Sequence, residues 1–233
     1  MFKSKIKWIK KSENEALILI ALDGTFGSLP GQFFMLKSGD FPVTPRPFSV
    51  YFEDEIRGET LFLLKPRGLL TEEALSWQIG HELKLKGPLG NPIPVIEGAN
   101  LVAGGSGYAP LHFYGSKYGY KNFYLGTTSK EEADFLNNLP NLKITCGPMV
   151  VTERFFQDNN EGAVIACGPT PMLQHLSEQY HGGSVYVSIE ERMACGTGMC
   201  EGCAVKLKSG EIKFVCKDGP LFDGKEVDWQ WLT

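Results

Sequence analysis

Four of the six cysteines in this chain of 233 residues occupy one late stretch with the spacing C-x4-C-x2-C-x12-C. This is the plant-type spacing for a [2Fe–2S] cluster that is held by four thiolates. Glycines at 196, 198 and 202 lie between the cysteines and let the backbone approach a metal centre where a Cβ would collide. The pattern therefore predicts an iron–sulfur cluster with the ligands Cys195, Cys200, Cys203 and Cys216.

Zinc and disulfides are the alternatives for these cysteines. A structural zinc site usually combines two short C-x2-C pairs, whereas here only Cys200 and Cys203 are so spaced. Disulfides persist in oxidising compartments, and the segment from Met1 to Trp8 alternates lysines with apolar residues like a strand, not like a targeting peptide. We therefore expect a protein of the reducing cytoplasm, where thiolates remain available for iron.

The composition narrows the function further. With 42% apolar and 21% charged residues, the chain has the composition of a globular protein. Its length is sufficient for two small domains and a further short module. Its net charge of −4 argues against a nucleic-acid partner, because surfaces that bind phosphate backbones carry a basic excess. No apolar run approaches the roughly eighteen residues of a membrane span. We expect neither nucleic acid nor membrane as a partner.

Residues 1–95 have the pattern of short strands separated by glycine, proline and aspartate. A helix over Thr71–Trp77 is the one expected interruption, because two glutamates lie in its first turn. Many short strands separated by such turn residues predict an antiparallel β-barrel. The expected strands are Ala16–Ala21, Gly31–Leu36, Phe48–Phe52, Thr60–Leu64 and Glu82–Lys86.

Residues 96–183 alternate buried-type strands with helices, which predicts a parallel sheet with helices on its faces. The first strand runs into a glycine turn, and Pro110 opens the helix that follows. A capping box over Ser129–Glu132 starts the second helix. Strands are expected at 100–103, 122–125, 142–145 and 163–166, and a further helix at 170–180. Residues 184–233 form the predicted cluster module.

Two glycine turns in the α/β region are candidates for binding a dinucleotide. Backbone N–H groups at the start of a helix bind pyrophosphate, and open α/β sheets bind ligands beyond the carboxyl ends of their strands. The alternative is a tight packing turn, because the full G-x-G-x-x-G fingerprint is absent. The candidate residues are Gly104, Gly105 and Gly107 in the first turn, and Cys167, Gly168 and Pro169 in the second.

A third motif, Arg46-Pro47-Phe48-Ser49, lies in the predicted barrel. Proline fixes the backbone, arginine offers a bidentate charge to a phosphate, and the serine hydroxyl can bind a ring heteroatom. The alternative is an edge strand with a surface arginine.

These motifs occur together in one order with Glu191-Arg-Met-Ala-Cys-Gly196, which leads into the cluster. Together they resemble the ferredoxin-reductase superfamily, and within it the electron-transfer subunits of type B dihydroorotate dehydrogenase. The segment from Val215 to Phe222 is especially similar to the last cysteine segment of that family. The resemblance extends over essentially the whole chain.

The resemblance implies FAD in the first domain, NAD in the second and a [2Fe–2S] cluster in the third. By motif, Arg46, Pro47, Phe48 and Ser49 would hold FAD together with Leu63, Leu64, Lys65, Leu70 and Thr71. Cys167 would lie beside the nicotinamide as a packing residue and not as a nucleophile. The turn over Thr145–Met149 differs from that of the family, and Gly126–Ser129 lacks an acidic residue for the ribose, so NAD and NADP both stay open.

The resemblance also implies a function. Electrons would pass from the FMN of a dihydroorotate dehydrogenase catalytic subunit through the cluster and FAD to NAD+ in pyrimidine biosynthesis, in a heterotetramer. The isolated chain would be an NADH diaphorase. The alternatives are a related NAD(P)H-linked flavin and iron–sulfur subunit of a hydrogenase or transhydrogenase, and a non-catalytic zinc-binding sensor protein.

Overall fold

The fold was obtained as a computed structural model that describes residues 1–40, 44–147 and 150–232. It contains a closed six-stranded barrel, a six-stranded mixed sheet and a two-stranded sheet. The predicted fold class is confirmed: an antiparallel barrel, a Rossmann-like parallel-sheet domain and a C-terminal module. In the described part of the chain, no helix is long and apolar enough to cross a membrane.

The barrel is closed by antiparallel pairing in the order β1-β2-β5-β4-β3-β6. Its strands alternate side chains between the barrel interior and the outside, as the period of two in a strand requires. Phe34 and Phe62 meet edge to face in the interior, with ring centroids 5.6 Å apart. The strands are β1 Phe2–Lys11, β2 Ile18–Asp23, β3 Phe33–Ser38, β4 Arg46–Asp54, β5 Glu59–Leu64 and β6 Glu82–Leu89.

The predicted helix at 71–77 is displaced toward the N-terminus. Helix α1 covers Leu69–Glu73, and a 3₁₀ turn follows at Ala74–Ser76. The Thr71 hydroxyl accepts hydrogen bonds from the amides of Arg67 and Gly68, so it caps the helix from inside the first turn. Leu70 is buried in the barrel core, which pulls the start of the helix inward.

The second domain is built on parallel strands that pair in the order β10-β7-β8-β9, with β11 beside β10. The first β–α unit joins β7 to α2 through a 3₁₀ turn at Gly105–Gly107. The strands are β7 Asn100–Gly104, β8 Asn122–Thr127, β9 Leu142–Cys146, β10 Val164–Cys167 and β11 Val185–Ser188. The helices are α2 Tyr108–Tyr118, α3 Lys130–Leu136, α4 Val151–Gln157 and α5 Thr170–Gln179.

The C-terminal module shares the second sheet. Strand β14, Leu221–Asp223, pairs antiparallel with β11, so residues on both sides of the cysteine loop are fixed to the same sheet. The expected boundary at 184 thus lies just before a strand of the nucleotide sheet, and the domain limits stay a prediction. The remaining elements are β12 Ala204–Lys206, β13 Ile212–Phe214, α6 Val215–Asp218 and α7 Trp229–Leu232.

The barrel packs on helix α2 through a buried aromatic and polar contact. His112 stacks on Tyr51 of β4 with ring centroids 3.9 Å apart and an interplanar angle of 12°. The Nδ1 atom of His112 lies 3.1 Å from the Tyr51 carbonyl oxygen. Asn138 donates to the Tyr51 hydroxyl and accepts from that of Tyr108. Both buried hydroxyls therefore have partners, and the joint between the two domains is polar as well as packed.

His112 makes the stability of this joint depend on pH. Burial lowers the pKa of His112 to about 4, against the smaller opposing effect of its hydrogen bond to Tyr51. Below the ordinary pKa of about 6.5, the unfolded chain binds a proton that the folded chain excludes, so stability present above pH 6.5 is lost as the pH falls toward 4. From pH 7.5 to 5.5 we expect a loss of about 1 kcal/mol in urea unfolding.

The variant His112→Phe keeps a ring against Tyr51 and removes the titrating group. It should be less stable than the wild type at pH 7.5 because the bond to the Tyr51 carbonyl is lost. On going from pH 7.5 to 5.5, the variant should lose less free energy of unfolding than the wild type, and the difference should be about 1 kcal/mol. An identical pH dependence in the two proteins would show that the proton is taken up elsewhere.

Candidate functional site

A cavity of about 980 Å³, here called the central cavity, opens at the carboxyl ends of the parallel strands. Ligands of open α/β sheets bind at this edge. The two predicted glycine turns form one wall, since Gly104, Gly105, Gly168 and Pro169 all line it. The cavity is large enough for a nucleotide, because ligand pockets generally measure about 300–1,000 Å³.

The two glycine turns touch each other, and the contact requires glycine. A Cβ on Gly107 would lie 2.2 Å from the Cys167 carbonyl oxygen, and one on Gly104 would lie 2.7 Å from Cδ of Pro169. Gly105 has φ +54°, a left-handed conformation that side chains disfavour. Gly107 therefore has a packing reason to be glycine, while Gly104 and Gly105 also line the central cavity. The assignment of the three glycines to NAD stays a prediction.

Cys167 lies beneath this wall and does not itself line the central cavity. Its side chain is 1% exposed, and burial, followed by the negative charge of Glu190, raises the pKa of the thiol well above its usual range. A neutral buried thiol is a packing group and a poor nucleophile. This agrees with the expected packing role.

Lys65, which was predicted for FAD, lines the central cavity together with two charged side chains that sequence reasoning missed, Arg67 and Glu190. Lys65 and Arg67 reach it from the end of β5 in the barrel, and Glu190 reaches it from the segment after β11. Glu190 is exposed at the cavity. Desolvation by the surrounding protein raises its pKa, and the nearby Arg67 opposes this shift. Arg67 has no local motif and comes to the cavity only where the barrel packs on the second domain, whereas Glu190 follows β11, which was not predicted as a strand of this sheet.

The end of β8 carries hydroxyl groups where many dinucleotide folds carry an acid. Thr127 and Thr128 line the central cavity there, together with Glu153 from the first turn of α4. Glu153 is thus an acidic side chain at the cavity that could bind the ribose hydroxyl in place of the acid that β8 lacks. Of the atypical turn over Thr145–Met149, Thr145 and Gly147 line the cavity, and Pro148 and Met149 lie outside the described residues.

The predicted flavin residues occupy β4 and the segment from β5 to α1. Arg46 is exposed, and Pro47, Phe48 and Ser49 are half-buried, which leaves this strand accessible to a ligand. Of the nine residues, only Lys65 is found among those lining the central cavity. The side chains of Leu63, Leu64 and Leu70 are packed in hydrophobic cores, and Thr71 caps α1. Their assignment to FAD stays a prediction.

The four predicted iron ligands come together in the loop over residues 193–203, here called the cluster loop, and at helix α6. Cys203 and Cys216 are buried with their sulfur atoms 3.2 Å apart. The amides of Thr197 and Cys200 donate to Cys195 Sγ at 3.4 Å, and the Gly198 amide donates to Cys216 Sγ at 3.0 Å. Amides that point at sulfur are the arrangement that stabilises thiolates and tunes iron–sulfur clusters.

The donor set fits a binuclear cluster. The Thr197 amide, followed by burial as an opposing effect and then the Cys200 amide, holds the pKa of Cys195 at about 6. Burial, followed by the Cys203 thiol, raises the pKa of Cys216 to about 12, but coordination to a metal removes the proton from a thiol outright. Within the described ranges, no three Cys, His, Asp or Glu side chains are grouped to hold one metal ion. A [2Fe–2S] cluster needs only two protein ligands on each iron.

The cluster loop packs against the barrel. Lys86 of β6 donates to the Cys195 carbonyl oxygen at 2.8 Å. A Cβ on Gly196 would lie 2.9 Å from Cδ1 of Leu89 and 3.0 Å from Cγ of Met35. Met35 is the pairing partner of Pro47 on the predicted flavin strand. Strand β3, which carries Met35, therefore lies between the cluster loop and β4, which carries the predicted FAD motif.

Comparison with known proteins agrees with this geometry. Residues 190–228 match the family model described as the iron–sulfur cluster binding domain of dihydroorotate dehydrogenase B. The chain is 34% identical over 220 residues to the "Dihydroorotate dehydrogenase B (NAD(+)), electron transfer subunit" of Caldanaerobacter subterraneus subsp. tengcongensis, covering 85% of this chain and 86% of that protein. The Clostridium acetobutylicum protein of the same name is 32% identical over 229 residues, covering 91% and 92%.

A solved structure extends the likeness to the whole fold. It is the NADH-dependent reduced ferredoxin-NADP oxidoreductase, described in work on flavin-based electron bifurcation, and one of its chains aligns with a TM-score of 0.87 at 28% identity. The alignment covers 100% of this chain and 92% of that one. The fold and the cysteine loop define an oxidoreductase of the ferredoxin-reductase type with an added iron–sulfur module.

Within that class, the chain belongs to the family of the electron transfer subunits of dihydroorotate dehydrogenase B (NAD(+)). The family resemblance predicted from the four motifs is confirmed. The match of the cysteine segment to an iron–sulfur model also favours iron over the zinc alternative.

Gly198 provides a test of the cluster loop. Gly198 has φ +83°, and a Cβ there would lie 2.9 Å from Cδ of Lys217. Its amide donates a hydrogen bond to Cys216 Sγ. A left-handed alanine costs about 1–2 kcal/mol. We expect Gly198→Ala to lose most of its bound iron and sulfide, measured by chemical analysis of anaerobically purified protein.

Gly202→Ala is the matched control in the same loop. A Cβ at Gly202 would meet nothing closer than Cys200 Sγ at 3.6 Å, which is ordinary van der Waals contact. This variant should keep its iron. Equal iron contents in the two variants would show that the loop does not depend on the conformation of Gly198.

Proposed function

We propose that the chain is an NAD-linked electron-transfer subunit that binds FAD, a [2Fe–2S] cluster and, as substrate, NAD. One observation carries the proposal: the barrel touches both other sites. Lys65 and Arg67 extend from the barrel into the central cavity, and Met35, Lys86 and Leu89 of the barrel contact the cluster loop. A flavin in the barrel would lie between a nucleotide and an iron–sulfur centre.

The three groups complement one another chemically: nicotinamide exchanges two electrons as hydride, a [2Fe–2S] cluster exchanges one, and flavin exchanges either number. The residues of the chain bind and orient them. Backbone amides at Gly105 and Gly168, which line the central cavity, would bind the pyrophosphate, and the four cysteines would hold iron. Arg46 would pair with the flavin phosphates.

The relatives' name supplies the proposed partner. We take it to be an FMN-containing catalytic subunit that oxidises dihydroorotate and passes electrons to this chain in pyrimidine biosynthesis, in a heterotetramer. NAD+ is the final acceptor, although NADP is open because β8 ends in Thr127 without an acidic residue. The isolated chain would act as an NADH diaphorase, and its location would be the cytoplasm.

A second candidate is a subunit of a transhydrogenase-like enzyme that exchanges electrons between NADH, ferredoxin and NADP. The likeness to the NADH-dependent reduced ferredoxin-NADP oxidoreductase favours it, because that alignment spans this whole chain. The two candidates differ in their partner. Dihydroorotate-dependent NADH formation after reconstitution with a dihydroorotate-oxidising subunit supports the first, and its absence together with ferredoxin-dependent activity supports the second.

The order of electron carriers can be tested with Cys200→Ser, which removes one exposed iron ligand. Because NADH meets the flavin and not the cluster, the variant should keep NADH-to-dye activity. Transfer from the partner should fall by more than about 100-fold, since even the loss of residues around metal ligands costs 10–100-fold. Both rates are measured with the reconstituted complex.

The matched control is Cys146→Ser, which changes an exposed cysteine outside the cluster loop. It should leave both rates close to those of the wild type. Unimpaired transfer from the partner in Cys200→Ser would contradict the proposed route through the cluster.

A further inference from the structure

Glu132 of helix α3 connects the second domain to the barrel behind the wall of the central cavity. Its side chain is 2% exposed, and its Oε1 atom accepts a hydrogen bond from Lys65 Nζ. Lys65 directly follows β5 of the barrel and is 67 residues away along the chain. The two domains are thus joined by a buried ion pair.

The other carboxylate oxygen of Glu132 binds the turn after β8. Glu132 Oε2 accepts from the Thr128 amide at 3.1 Å and from the Thr128 hydroxyl at 2.8 Å. Lys65 and Thr128 both line the central cavity, whereas Glu132 does not. The carboxylate therefore links the barrel side of the cavity wall to its nucleotide side without facing a ligand itself.

The helix alone does not require this arrangement. In a capping box, the glutamate carboxylate would reach back to the amide of the capping residue. Here the Ser129 hydroxyl accepts from the Glu132 amide at 3.2 Å, but the carboxylate binds Thr128 and Lys65. Burial raises the pKa of Glu132, and the bonds from Lys65 and Thr128 outweigh it, so the net pKa is lowered and the group is anionic at neutral pH.

We propose that Glu132 is a positioning residue for hydride transfer: by tying Lys65 to Thr128, it holds the nucleotide-binding turn in a fixed orientation to the barrel. This inference rests on the proposed function. The stacked pair Tyr51 and His112 joins the same two domains independently. Loss of the Glu132 link therefore permits a small reorientation and not separation, and displacements of about 1 Å can cost up to about 100-fold in rate.

The test uses Glu132→Gln in the full chain with its cofactors. Glutamine keeps the size of the side chain and an acceptor for Thr128, but it has no charge for Lys65. We expect flavin reduction by NADH in stopped flow to slow about tenfold. The NAD+ dissociation constant from calorimetry should change by less than about threefold, because Glu132 does not touch the ligand. The long-wavelength charge-transfer absorbance of NADH with flavin should weaken.

The matched control is Asp158→Asn. Asp158 accepts from Lys143 Nζ and from the Tyr124 hydroxyl, each at 2.8 Å, and this ion pair lies within the second domain. For Asp158→Asn, the rate of flavin reduction, the NAD+ dissociation constant and the charge-transfer absorbance should equal those of the wild type. If Glu132→Gln does not fold, as judged by its melting temperature and flavin content, Glu132→Asp replaces it with the same expected result.

Three results would overturn the proposal. One is a wild-type rate of flavin reduction in the Glu132 variant, and another is a loss of NAD+ affinity as large as the loss of rate. The third is an equal slowing in Asp158→Asn, which would show general loosening of the domain. If the proposed function is wrong, the wild-type protein itself will not bind NAD+. That result would also remove the present inference, and it is distinct from the three results above because it needs no variant.

Discussion

The stacking of Tyr51 on His112 is the contact on which the arrangement of the molecule depends, because it joins the barrel to the helix that begins at the first glycine turn. Tyr51 lies on β4, the strand that also carries the Arg46 to Ser49 motif. A rigid joint at this point fixes the predicted flavin strand relative to the nucleotide turn. Transfer between bound groups needs such fixed distances, since small misplacements are costly in rate.

The cluster module packs against both larger domains, although its own sheet has only two strands. Strand β14 completes the second sheet beside β11, and the cluster loop presses on Met35 and Leu89 of the barrel. The module is therefore packed between the two larger domains. Two short strands would not be stable alone, and this packing supplies the missing buried surface.

Local patterns could predict most of the fold and much of the candidate site. The cysteine spacing brings four sulfur atoms together with amides directed at them, as at Cys195 and Cys216. The glycine turns meet because strands β7 and β10 are neighbours, which parallel β–α alternation implies. Arg67 could not be predicted, because it reaches the central cavity only where the barrel packs on the second domain. Glu190 was missed because β11, the strand before it, was not predicted as part of the nucleotide sheet.

Helix α3 shows where the sequence stops determining the structure. The sequence by itself determined that Ser129 caps the helix, because that bond joins residues three apart and needs only local backbone geometry. Only the tertiary structure decided where the Glu132 carboxylate points. Lys65 comes from a different domain, and burial of the carboxylate beside it makes the distant charge a stronger partner than the local amide of Ser129.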